Sequence, residues 1–129
     1  MIHGLACLLG LLPLHASAQY AAMEGDYASP LISLKVIVLD RKGTAAASLT
    51  VVSGACSGSI AGVGTFTART LQFSSHTKEE GGEACRVSAQ FDKLGRQVTI
   101  TDNGQCSVFM GASCEWNGQT ARKVPERKR

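Results

Sequence analysis

The sequence predicts an all-β protein, an antiparallel meander of about eight short strands closed or partly open as a small barrel and braced by two disulfides. Three observations carry this. Apolar and polar residues alternate in short runs at near-regular intervals. Breaks containing glycine, asparagine or aspartate separate the runs. No window holds helical spacing, and no internal repeat emerges beyond the hairpin rhythm. Closure is favoured because it leaves no free sheet edge.

The first apolar run is of another kind. Gly4-Leu5-Ala6-Cys7-Leu8-Leu9-Gly10-Leu11-Leu12 precedes the small-residue triplet Ala16-Ser17-Ala18. That is the shape of a secretory signal peptide, too short to span a bilayer, with cleavage expected after Ala18. Residues 19–30 then read as a lead-in, punctuated by Gly25-Asp26-Tyr27 and Ser29-Pro30, with Tyr27 placed to begin a strand or to pack across a barrel end. Residues 31–121 form the barrel domain and 122–129 a basic C-terminal tail.

Within the barrel domain, residues 31–39 are rich in β-branched side chains, with Ser33 and Lys35 at alternate positions, a strand with one mostly buried face. The turn Asp40-Arg41-Lys42-Gly43 leads to a returning strand at 47–52. After the break at Ser53-Gly54-Ala55, residues 56–68 alternate small with apolar side chains, and the glycines mark curvature or close backbone approach. Residues 70–74 alternate again. Residues 75–83 are the longest polar interruption and a surface loop. Residues 85–91 follow period 2 strictly, with Cys85, Val87, Ala89 and Phe91 on one face. The turn at 92–95 returns the chain to a strand containing Val98 and Ile100, and Asn103-Gly104 is a strong turn signal. Residues 106–109 and 114–116 read as a hairpin around Met110, before a last strand at 119–123.

With Cys7 removed, Cys56, Cys85, Cys106 and Cys114 remain. An even count in a short exported chain implies two disulfides and a periplasmic or secreted location. Four cysteines could also hold zinc, but no C-x-x-C pair occurs, and no metal or cofactor is expected. Local order pairs Cys56 with Cys85 and Cys106 with Cys114. The chain-entropy estimate for those loops is roughly 3.6 and 2.6 kcal/mol.

Charge and chemistry narrow the function classes. The formal charge is +3, but five basic residues and one acid lie in 122–129, so the remainder is close to neutral. Such a tail is a solvated end that can touch anionic envelope polymers. No basic stripe interleaves with aromatics, so no nucleic-acid partner is expected, and no segment is a membrane span. The exported chain has one histidine, His76, and no G-x-S-x-G elbow, so no catalytic residue is assigned and the chain is not expected to be an enzyme. Glu24, Asp26, Asp40, Asp92 and Asp102 fall in turns or termini, where turn chemistry uses them. Trp116 and Phe109 read as core. For recognition, the candidates are Ser53 and Ser57 on a cysteine-tied break, and Ser75, His76 and Lys78 on the polar loop. Rigid loops lose little entropy on binding.

At Cys56-Ser57-Gly58, at Ala84 through Phe91, and at Cys106 through Gly111-Ala112-Ser113-Cys114 to Asn117-Gly118, the chain resembles small uncharacterised bacterial periplasmic β proteins. It is distantly similar to periplasmic lysozyme inhibitors, which are disulfide-braced antiparallel barrels. The inhibitors' serine-glycine and tyrosine-bearing loop motifs have no clean counterpart here, so no inhibitory residue carries over. The resemblance implies a binding or inhibitory module for a protein partner of the lysozyme-like cell-wall hydrolase class. The alternative is a small-ligand carrier or an envelope structural protein.

Overall fold

The computed structural model describes residues 19–77, 85–111 and 114–126. The expected signal peptide, Lys78 and the last three basic residues lie outside them. The chain forms eight antiparallel strands in meander order, closed into a barrel. They are β1 (Gly25–Ala28), β2 (Ile32–Val38), β3 (Thr44–Ser53), β4 (Cys56–Thr67), β5 (Thr70–Phe73), β6 (Val87–Phe91), β7 (Gln97–Asp102) and β8 (Thr120–Lys123).

Closure recruits residues that alternation alone does not mark. The lead-in supplies β1, which is only four residues long and has a single buried side chain, Tyr27. Arg122 and Lys123, which the sequence places both at the end of a last strand and at the start of the basic tail, belong to β8. There Arg122 lies opposite Gln97 of β7 and Ala28 of β1, and beyond it the Lys123 N–H donates to the Arg96 carbonyl and the Val124 N–H to that of Asp26.

Inward positions are apolar along the strands except at two strand ends, where Asp102 and Lys123 continue the inward faces of β7 and β8. Leu34, Leu49 and Ile60 stand in register across β2, β3 and β4. Trp116, Tyr27, Phe73, Leu71, Ile100 and Val98 are among the largest fully buried side chains, and no polar or charged residue is buried among the described residues. Each buried Leu or Ile contributes about 1.5–3 kcal/mol of transfer free energy. The interior is a packed core.

The glycines of β4 are where the wall turns. Gly62 and Gly64 lie opposite Ala47 and Ala45 on the inward face of β3. A Cβ on Gly62 would run into the Ser74 carbonyl, and one on Gly64 into that of Gln72. Their lack of a side chain lets β5 and the segment after it fold tightly against β4.

Because successive strands alternate in direction, the connections sort onto two rims. One rim, the turn rim, holds the β2–β3, β4–β5 and β6–β7 turns together with the lead-in and the chain after β8. The lead-in plugs it. Met23 is buried, Tyr20 stacks on Phe66 at 5.4 Å between ring centroids, and Tyr27 meets Phe91 edge-on at 5.3 Å. The Tyr27 hydroxyl lies 2.8 Å from the Gly95 carbonyl and 3.0 Å from that of Met23, with one proton to donate between them. Burial, and secondarily the Asp92 carboxylate, pushes this hydroxyl's pKa far above the usual tyrosine range. Gly95 has φ +70°, and a Cβ there would strike the Ala22 carbonyl, so the β6–β7 turn seats directly on the lead-in.

The opposite rim holds all four of these cysteines, and the pairing differs from the local one expected from sequence. Cys85 bonds to Cys106 and Cys56 to Cys114, with Cα–Cα separations of 4.6 and 5.7 Å. Val87 and Asp102 are opposite one another at the open end of the β6–β7 hairpin, so the chains leaving them bring Cys85 to Cys106. Nor do the described residues among 106–116 form paired strands. Ser107–Phe109 is a 3-10 turn. It lays Phe109 and Met110 against Gly58, where a Cβ would meet the Phe109 carbonyl, and so carries Cys114 to Cys56. The two bonds are nested: Cys85–Cys106 joins consecutive cysteines, and Cys56–Cys114 spans both of them.

Candidate functional site

The outer faces of β2, β3 and β4 carry an unusually small and apolar surface. Ile37, Ala46 and Val63 stand side by side in register, as do Lys35, Ser48 and Ala61 one step nearer the cysteine rim. Short side chains in the middle and longer ones at the edges leave a depression of about 300 Å³, with His76 at its end. A second hollow of about 260 Å³ continues it toward the rim, past Ser48 and Ser59 to Ser75, Thr77 and Phe109. Together they form one groove, apolar at its lower end and lined with hydroxyls at the rim.

The upper wall is held by local chemistry. The His76 backbone N–H donates to the Ala61 carbonyl at 2.9 Å, and its ring Nδ1 lies 2.8 Å from the same oxygen. Ser75 and Thr77 hydroxyls are 2.8 Å apart, and the Thr77 N–H donates to Ser75 Oγ at 3.1 Å. Ser75, His76 and Thr77 therefore continue the pairing along β4 as an arm held by hydrogen bonds. Phe109 is positioned by its 3-10 turn, itself tied between the two disulfides.

Of the residues expected to take part in recognition, Ser75 and His76 come together on this groove. Ser57 shares the outer face of β4 two residues beyond Ser59, and Ser53 lies opposite Cys56 at the hairpin end. Both are exposed and stand farther out along the rim. Lys78 lies outside the described residues. Sequence reasoning missed Ile37, Ala46, Ser48, Ala61 and Val63, because their side-by-side placement depends on strand register. The one signal available was the alternation of small with apolar residues along β4.

The carboxylates serve the backbone. Asp40 Oδ1 accepts from the N–H of Lys42 and Thr44, and Asp92 Oδ1 from Arg96 and Gln97. Those bonds, from Thr44 first for Asp40 and from Arg96 first for Asp92, hold both carboxyls below the usual range. Among the described residues no group of three His, Cys, Asp or Glu side chains is arranged to hold a metal ion. No described helix is long and apolar enough to cross a membrane.

Comparison with known proteins returned no match: no family model fits the chain, and no curated protein or solved structure is significantly similar to it.

Proposed function

We propose that this is an exported binding module of the periplasm or extracellular space, and that its cysteine rim and adjoining groove recognise a protein partner. The observation that carries the reading is the gathering of both disulfides, the hydrogen-bonded arm at Ser75 and His76, and the β3–β4 hairpin end on a single rim beside an apolar groove. Such a rim presents irregular chain with little entropy left to lose, which favours insertion into a partner's cleft. A lysozyme-like cell-wall hydrolase is the partner class to test first. The charge distribution supports it better than the net +3 does, because Arg86, Asp102 and Glu115 are the charged side chains described at this rim. A cationic hydrolase would meet little repulsion there.

The interior opposes the carrier alternative, since Trp116, Tyr27, Phe73 and the aliphatic side chains occupy the space an enclosed ligand would need. The test is inhibition of lysozymes of several types by the exported protein, run beside affinity capture from periplasmic extract. Slowed peptidoglycan hydrolysis with a captured hydrolase supports the reading. No inhibition and no captured hydrolase overturn it.

A further inference from the structure

The turn rim has a composition that neither the core nor the recognition groove accounts for. Leu39 and Leu94 sit on the β2–β3 and β6–β7 turns, 53% and 60% exposed, and Val124 follows β8 at 44%. Apolar side chains at turn tips contribute nothing to folding while they remain in water. Around them stand Arg41, Lys42, Arg69, Lys93 and Arg96, all exposed. The one ion pair among the described residues, Lys35 with Asp26 at 3.9 Å, is elsewhere on the wall.

The acids of this rim, Glu24, Asp40, Asp92 and Glu126, are exposed as well, and three of them are engaged by backbone donors. Asp40 and Asp92 accept from the N–H groups of their own turns, and Glu24 Oε2 accepts from the Val38 N–H at 2.8 Å. The rim thus presents aliphatic tips on a net positive face, since Arg122 and Lys123 of β8 join the five cations named above against four acids. An acidic protein or soluble polyanion would be served by the cations alone. A lipid surface uses both features, because acyl chains take up the leucines while anionic headgroups meet the lysines and arginines.

Chain direction agrees. The sequence leaving β8 at this rim continues to Arg127-Lys128-Arg129, three further cations. We infer that the turn rim is a docking surface for an anionic phospholipid bilayer, with Leu39 and Leu94 entering the headgroup–acyl boundary and the surrounding cations pairing with lipid phosphates. Docked this way, the barrel holds its cysteine rim away from the membrane.

The test is cosedimentation of the exported protein with vesicles of phosphatidylcholine alone or mixed with phosphatidylglycerol. Binding is expected only to the mixed vesicles and is expected to weaken as salt is raised. Leu94→Ser, at a highly exposed position, is expected to lower the affinity about tenfold, the loss for one leucine that no longer leaves water. Arg41→Glu is expected to lower it at least about fivefold. Val52→Ser on the opposite rim, where the valine is 50% exposed, serves as a control and is expected to change nothing. Equal binding to both vesicle types, or to neither, overturns the proposal. If Leu94→Ser binds like the parent while soluble polyglutamate displaces the protein, the rim reads negative charge alone and the lipid assignment fails.

Discussion

The indole N–H of Trp116 donates to Asp102 Oδ2 at 2.8 Å, which ties the irregular segment 103–119 to the last residue of β7. The same carboxylate's Oδ1 accepts from the Gly104 N–H, and Asn117 Oδ1 accepts from the Asp102 N–H. Trp116 is fully buried. Asp102→Ala removes the acceptor and leaves a buried donor unsatisfied, at an expected cost of about 1–3 kcal/mol in urea unfolding. Asp102→Asn, which retains an oxygen, is expected to cost less. Trp116 is the chain's single tryptophan, so its fluorescence reports the transition directly.

The nested disulfides are expected to differ in weight. Closing a loop of 58 residues restricts the unfolded chain more than closing one of 21. The chain-entropy estimate is about 4.2 kcal/mol for Cys56–Cys114 and about 3.4 kcal/mol for Cys85–Cys106. Denaturation of the two double Cys→Ala variants is expected to rank them in that order, and peptide mapping of the oxidised protein to recover these two pairs.

Glycine substitutions separate steric from conformational causes. Gly64→Ala sets a methyl against the Gln72 carbonyl inside a paired strand and is expected to lose at least about 3 kcal/mol or fail to fold. Gly54 has φ +61° with nothing near its Cβ position. Gly54→Ala pays only for the left-handed backbone, about 1–2 kcal/mol. Thermal melts of the two variants side by side are the check.

Tyr27 sets the alkaline limit. Its folded pKa lies above the ordinary value of 10.0, so the unfolded chain releases the proton first. The stabilisation is complete below that ordinary value and is lost as pH rises from it toward the folded pKa. Stability is expected to fall above about pH 10, and Tyr27→Phe, although less stable at neutral pH through its lost hydrogen bonds, is expected to fall less steeply there.

The strands with a clear period of two were legible from sequence. Residues 31–39, 70–74 and 85–91 contain β2, β5 and β6 because one buried face imposes alternation. β1 was half legible: Tyr27 was placed to begin a strand or to pack across a barrel end, but Gly25–Ala28 is too short to show a period, and Tyr27 is its only buried residue. The cysteine pairing was illegible for a different reason. Proximity of Cys56 to Cys114 depends on a 3-10 turn laid over Gly58, and neither carries a local signal at the cysteines themselves. The groove was half visible. Ser75 and His76 stood out by composition, whereas Ala46, Ser48 and Ala61 became a floor only once register set them side by side.

The central claim is that the groove and cysteine rim bind a protein, and Val63→Arg tests it most directly. Val63 is 55% exposed on the outer face, so a long cation there fills the groove without disturbing the core. The parent protein is expected to slow a lysozyme-like hydrolase, and Val63→Arg to lose that inhibition with an unchanged melting temperature. Inhibition of the same strength by both proteins would contradict it.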